Sequence, residues 1–262
     1  MGRRRLVVAN WKMNLTTPEG CSLVEAVLGT AKQRPEVDVV VCPSFVSLQP
    51  LGRSLAHTPV ALGAQDVFWL GKGAYTGQVS PRMLVDSGCR YCIVGHSEAR
   101  GRFGSEPPRP LSYFSDTDET VAQKVSALVF ANIVPILCVG ETALERQDGR
   151  TDEVVAEQLA KALERVAPEE CSNLTIAYEP VWAIGTGNVC DADEAARMCG
   201  LIRDEVASIT DSACGDQVRI LYGGSVKASN CAEIFANSQV DGALVGGASL
   251  IADEFSKIVL SA

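Results

Sequence analysis

Short runs of β-branched and other apolar residues recur along the chain. Each is closed by polar residues or glycine and followed by a stretch with apolar positions three and four apart. The pattern predicts eight strands, at Leu6–Ala9, Val37–Cys42, Val60–Ala64, Tyr91–Gly95, Val134–Val139, Leu174–Tyr178, Val218–Tyr222 and Gly242–Val245. Several are apolar at successive rather than alternate positions, as expected of parallel strands buried on both faces. The clearest helices between them are Asp118–Ala131, Asp152–Val166 and Asp193–Ser208, with acidic residues in the first turns where the helix dipole favours them. Eight strand–helix units in 262 residues suit a closed (β/α)8 barrel, one domain over residues 1–262, better than an open doubly wound sheet. One break stands out. Gly101-Arg102-Phe103-Gly104-Ser105-Glu106-Pro107-Pro108-Arg109-Pro110 cannot propagate a helix and reads as an exposed loop.

Composition narrows the class. A 47% hydrophobic chain without low-complexity tracts is not disordered, collagenous or a coiled coil. No apolar run nears the roughly 20 residues that span a bilayer. The basic start, Met1-Gly2-Arg3-Arg4-Arg5, leads into an apolar stretch that ends at Asn10-Trp11-Lys12, too short for a secretory core, so a cytoplasmic location is expected. With 23 Lys+Arg against 32 Asp+Glu, the net charge of −9 argues against nucleic-acid or anionic-membrane partners. A small anionic substrate remains possible at a site built from a few local donors. The ten cysteines read as reduced and mostly buried. Cys89-Arg90-Tyr91-Cys92 has the spacing of a redox or metal pair, but no second pair accompanies it, and no metal site is expected.

A barrel assembles its site at the carboxyl ends of the strands, and those ends are rich here. Asn10 and Lys12 follow strand one, flanked by Trp11 and Met13; His96, Ser97 and Glu98 follow strand four; Glu179-Pro180 follows strand six. Gly223-Gly224-Ser225 and Gly246-Gly247 follow strands seven and eight. Taken singly, a lysine is a solvated charge, a histidine a satisfied hydrogen-bonding group and Gly-Gly a turn. Their convergence on one mouth, with bare backbone N–H groups that can approach an anion, makes the functional reading the stronger one. The only other histidine, His57, precedes a strand and is assigned to the opposite, structural face.

At this point the chain resembles the triosephosphate isomerase family, nearly end to end. The resemblance rests on Ala9-Asn10-Trp11-Lys12-Met13-Asn14, Val94-Gly95-His96-Ser97-Glu98, Cys138-Val139-Gly140-Glu141, Ala177-Tyr178-Glu179-Pro180-Val181-Trp182-Ala183-Ile184-Gly185-Thr186-Gly187, Tyr222-Gly223-Gly224-Ser225 and Val245-Gly246-Gly247-Ala248-Ser249-Leu250. It implies the TIM-barrel fold and interconversion of dihydroxyacetone phosphate and D-glyceraldehyde 3-phosphate through an enediolate, without metal or organic cofactor. Glu179 matches the family's base and His96 its electrophile, a neutral imidazole; this family is itself a standard case of such tuning, so the roles come with the resemblance. A carboxylate among apolar neighbours is expected to be strengthened as a base. By the same resemblance Lys12 supplies fixed positive charge, Asn10 a neutral donor, and Glu98 sits behind Lys12. Pro180, Val181, Trp182, Ala183, Ile184, Gly185, Thr186 and Gly187 resemble the closing lid for which the family is also known. Gly185, Ser225, Gly246 and Gly247 would offer backbone donors to phosphate.

The partners implied are a phosphorylated triose and a second copy of the chain, with Tyr75-Thr76 at the interface of a homodimer. Three departures mark this chain. Ala99 stands where the family usually has Arg, Gln78 where it usually has Glu, and the lid exit is Asn188-Val189-Cys190. The first two resemble an inter-subunit ion pair lost on both sides, which is gentler than stranding one charge. Ser112-Tyr113-Phe114-Ser115-Asp116-Thr117-Asp118-Glu119 matches the family's entry to the fourth helix, so the 101–110 insertion is expected beside that interface. Another phosphosugar isomerase or epimerase would need different acid, base or metal-binding residues. A non-catalytic, isomerase-like binding module would have lost the base, the electrophile or the lid.

Overall fold

A computed structural model describes residues 3–104, 115–171 and 173–262. Its strands are β1 (Arg5–Asn10), β2 (Val37–Cys42), β3 (Val60–Ala64), β4 (Cys89–Val94), β5 (Val134–Val139), β6 (Thr175–Tyr178), β7 (Arg219–Tyr222) and β8 (Gly242–Val245). They pair in parallel in chain order, and β8 returns to β1, closing the barrel. The successive apolar positions are explained by two separate cores. Leu6, Val8, Val40, Cys42, Ile93, Ile136, Cys138, Ala177, Leu221 and Leu244 form the inner one. Their neighbours Val7, Ala9, Val39, Val41, Leu137, Val139, Ile176 and Tyr178 join the larger shell between sheet and helices.

The described helices are α1 (Thr17–Gln33), α2 (Leu48–Leu55), α3 (Pro81–Asp86), α4 (Asp118–Phe130), α5 (Ala143–Gln147), α6 (Thr151–Leu163), α7 (Pro168–Cys171), α8 (Ala192–Ile209), α9 (Ser212–Gln217), α10 (Cys231–Phe235) and α11 (Ala252–Ser261). The three predicted helices correspond to α4, α6 and α8, with ends shifted by at most three residues. The starts of α4 and α8 are set by side-chain caps. Thr117 accepts from the Thr120 N–H at 3.2 Å and Asp191 from the Glu194 N–H at 2.8 Å. Strand β4 begins two residues before the predicted Tyr91 and stops before Gly95, whose φ of +67° turns the chain out of the sheet. Cys89 and Cys92 both lie in β4 as buried free thiols.

The amino ends of the strands are closed by ion pairs. Arg219 meets Asp38 at 2.8 Å, and Asp241 takes both Arg3 at 2.7 Å and Arg203 at 2.8 Å. His57 sits at this end beside Asp38 and Tyr91, the structural face expected of it. Polar chemistry is therefore left to the carboxyl ends. Of the Gly- and Pro-rich segment 101–110, Gly101–Gly104 is described; residues 105–110, and Ser112–Phe114 of the following motif, lie outside the described residues.

Candidate active site

Asn10, the last residue of β1, folds back so that its Oδ1 accepts the Lys12 N–H at 3.0 Å. Lys12 takes a left-handed φ of +53°, a conformation that costs a side-chain-bearing residue about 1–2 kcal/mol. It is held there by Gln65, whose Nε2 donates to the Lys12 and Cys42 carbonyls, each at 2.8 Å. The Lys12 ammonium pairs with Glu98 Oε1 at 2.6 Å, so Glu98 stands behind Lys12. Gln65 had not been singled out from the sequence. The available signal was its position directly after β3.

His96 follows β4 and is buried. Its Nδ1 accepts the Glu98 N–H at 3.2 Å, which puts the ring proton of the neutral imidazole on Nε2, facing the cavity. Burial opposes charge on this ring, but Glu179 and then Glu98 outweigh it, and the pKa lies above its ordinary 6.5. Glu179, at the end of β6, is 2% exposed. Its Oε2 accepts the Ser97 N–H at 2.8 Å. Its Oε1 lies 2.9 Å from His96 Nε2 but off the alignment of a hydrogen bond, which leaves a buried carboxylate oxygen with no hydrogen-bond partner.

Burial alone would raise the Glu179 carboxyl; His96, the Ser97 N–H and Lys12 together bring it below its ordinary 4.5. This differs from the strengthened base expected of apolar surroundings, because here the carboxylate rests on donors of the neighbouring loop. The chain makes room for it with Gly140, where a Cβ would lie 1.7 Å from the Glu179 carbonyl oxygen. That close backbone approach explains the glycine in Cys138-Val139-Gly140-Glu141.

Asn10, Lys12, His96 and Glu179 line one cavity of about 660 Å³ together with Gly185, Ser225, Gly246 and Gly247. Lys227 and Glu254, not anticipated from the sequence, line it too. Ile184 joins Gly185 as the part of the expected lid that faces the cavity. The rest of the lid is latched away from it. Val181–Ala183 forms a short 3-10 turn, and Trp182 Nε1 donates to Glu141 at 2.8 Å. Tyr178 also donates to Glu141 at 3.2 Å, and the Arg146 guanidinium lies 4.5 Å from the Trp182 ring centroid. Within the lid the Thr186 hydroxyl donates to the Trp182 carbonyl at 2.9 Å. The sequence had placed Glu141 in a motif without a role. Its partner came into view only with the tertiary structure.

Tyr75 and Thr76 stand apart from the cavity on an exposed loop, with Tyr75 packed 4.8 Å from Phe68 and Phe68 4.2 Å from Trp69, centroid to centroid. Among the described residues, no group of three or more His, Cys, Asp or Glu side chains is placed to hold a metal ion.

A family model described as triosephosphate isomerase matches residues 5–262. The triosephosphate isomerase of Carboxydothermus hydrogenoformans is 44% identical over 98% of each chain. That of Dictyoglomus turgidum is 43% identical over 99% of this chain and all of its own. That of Rhodopirellula baltica is 40% identical over all of this chain and 99% of its own. With the closed barrel and the end-to-end match, the chain belongs to the triosephosphate isomerase family.

Proposed function

We infer that the protein is a triosephosphate isomerase, an intramolecular oxidoreductase that interconverts dihydroxyacetone phosphate and D-glyceraldehyde 3-phosphate. The observation that carries this reading is the gathering of Glu179, His96 and Lys12 around one cavity that is also lined by Gly185, Gly246 and Gly247. Substrate phosphate is held by the N–H groups of Gly185, Ser225, Gly246 and Gly247, and Asn10 and Lys12 orient the carbonyl end. Glu179 leaves the Ser97 N–H, and with those donors gone burial strengthens it as a base. It takes the proton from the carbon next to the carbonyl, and the C–H electron pair becomes the enediolate double bond. His96 donates from Nε2 to the oxygens as charge develops, and Lys12 stabilises that charge. The proton held on Glu179 goes to the neighbouring carbon, while the hydroxyl proton passes from its oxygen to the other by way of His96 Nε2, which gives one proton and takes one back. No redox partner and no metal or organic cofactor enters this balance.

The lid of residues 180–187 closes over the intermediate, because an enediol phosphate open to water can eliminate its phosphate. Ten free thiols support a reducing, cytoplasmic setting. A homodimer in which Tyr75 and Thr76 reach the partner is supported by the exposure of Tyr75 and of Leu70 five residues before it. The test is a coupled assay of glyceraldehyde 3-phosphate consumption with chelator present. Glu179→Gln should lower kcat by about a thousand-fold with the fold intact. Metal-dependent turnover, or full activity in that variant, overturns the mechanism and favours a different phosphosugar barrel.

A further inference from the structure

The loop after β4 continues past the catalytic histidine as a strap that ends against the lid. The Arg102 N–H donates to the Ser97 carbonyl at 2.8 Å. Its guanidinium donates to the Gly140 carbonyl at 3.2 Å and pairs with Glu145. The strap is thus fixed at two points, one on the catalytic loop and one on the loop after β5. Two residues on comes Gly104. A Cβ there would lie 2.4 Å from Thr186 Cγ2, 2.6 Å from the Ile184 carbonyl oxygen and 2.8 Å from the Val181 carbonyl oxygen. Side chains essentially never approach this closely. Two of the three atoms are backbone, so no rotamer change relieves the contact. Gly104 is not in the left-handed region, so the position uses the absence of a side chain and not the freedom of the dihedral.

We propose that Gly104 is the seat of the open lid, a positioning residue that fixes where Val181–Thr186 rests while Trp182 is latched to Glu141. The inference rests on the lid reading above. It gives the described start of the 101–110 segment a role at the active-site cover, where the sequence suggested only an interface rim. An added methyl at this seat destabilises the latched position and adds nothing to the cavity wall, since Gly104 does not line it. The lid population then shifts toward the unlatched state that can close on phosphate. Apparent affinity rises by the factor the latched state has lost.

The experiment compares the full-length chain with Gly104→Ala by steady-state kinetics and by amide exchange of residues 180–188, with and without inorganic phosphate. In the substituted chain, KM and the dissociation constant for phosphate should fall together by about 3- to 10-fold, with kcat falling as reopening slows. Lid exchange without phosphate should become faster. An unchanged or raised KM in folded Gly104→Ala overturns the proposal. So does unchanged lid exchange. Arg102→Gln frees the strap from Gly140 and Glu145 without adding atoms; it is expected to speed lid exchange likewise and serves if Gly104→Ala does not fold. Phosphate that fails to alter lid exchange in the unsubstituted chain refutes the lid reading itself, and with it this proposal. Normal phosphate protection with both variants unaltered refutes only the seat.

Discussion

Nine of the ten cysteines are buried, and Cys21 alone is partly exposed. Burial raises the thiols of Cys42, Cys92, Cys138 and Cys199 and pushes those of Cys89, Cys171 and Cys190 up to about 12. Only the thiolate attacks an alkylating reagent, so these sulfurs are doubly protected, by enclosure and by protonation. Iodoacetamide at pH 8 should therefore modify one cysteine per native chain, Cys21, and ten per unfolded chain, as read by mass. Rapid native labelling of Cys190, at the exit of the lid, would show that the lid region opens far more than its packing implies. The residues that bear the chemistry were legible in the sequence because motif and strand end coincide at Lys12, His96 and Glu179. Their state was not. The contacts of Glu179 with the Ser97 N–H and His96, which lower its pKa, join β6 to the loop after β4, and no local pattern encodes them.

Among the elements, α4 carries a buried lysine that periodicity would place in a core. Lys124 is 5% exposed, and its ammonium meets Asp66 at 2.7 Å and Asp116 at 2.7 Å. Burial opposes its charge, yet the two carboxylates outweigh that and raise its pKa above 10.5. A raised lysine gives stability that is fully present below 10.5 and lost as pH rises through its folded value. Asp66, itself raised by burial, offsets part of this once it ionises. Lys124→Met should cost about 3–5 kcal/mol in urea unfolding, because it strands two carboxylates. Adding Asp66→Asn and Asp116→Asn should restore much of it; if the single change is silent, the triad is not held as described. By contrast, the exposed pairs of Glu119 with Lys161 and Arg165 should matter little to stability. The strands and the helices α4, α6 and α8 could be read from apolar spacing because both strand faces are buried and these helices run for three turns or more. α3, α5, α7, α9 and α10 have six residues or fewer, too short to show a period.

At the scale of the whole molecule, five of the large apolar side chains left in water come from one sector of the fold, while Phe130, Leu144, Val189 and Ile251 are exposed elsewhere. Met13 is 96% exposed, Val46 83%, Met83 54% and Val85 50%, with Tyr75 at 44%. They come from the loops after β1, β2 and β3 and from α3, which are consecutive around the barrel. A sector of apolar side chains of this kind is what a second copy would cover. Met13 is also next to Lys12, so covering it would brace the strained backbone that presents the ammonium to the cavity. Mass measured across a dilution series should show a dimer at micromolar concentration. Val46→Asp with Met83→Asp should yield monomers whose kcat falls at least ten-fold while the barrel stays folded by circular dichroism. Because Ala99 and Gln78 carry no charge, dimer strength should change little from low to high salt, where an interface held by ion pairs would weaken. A monomer with full activity would mean that Lys12 keeps its geometry through Asn10 and Gln65 alone, and that the exposed face serves something other than the site.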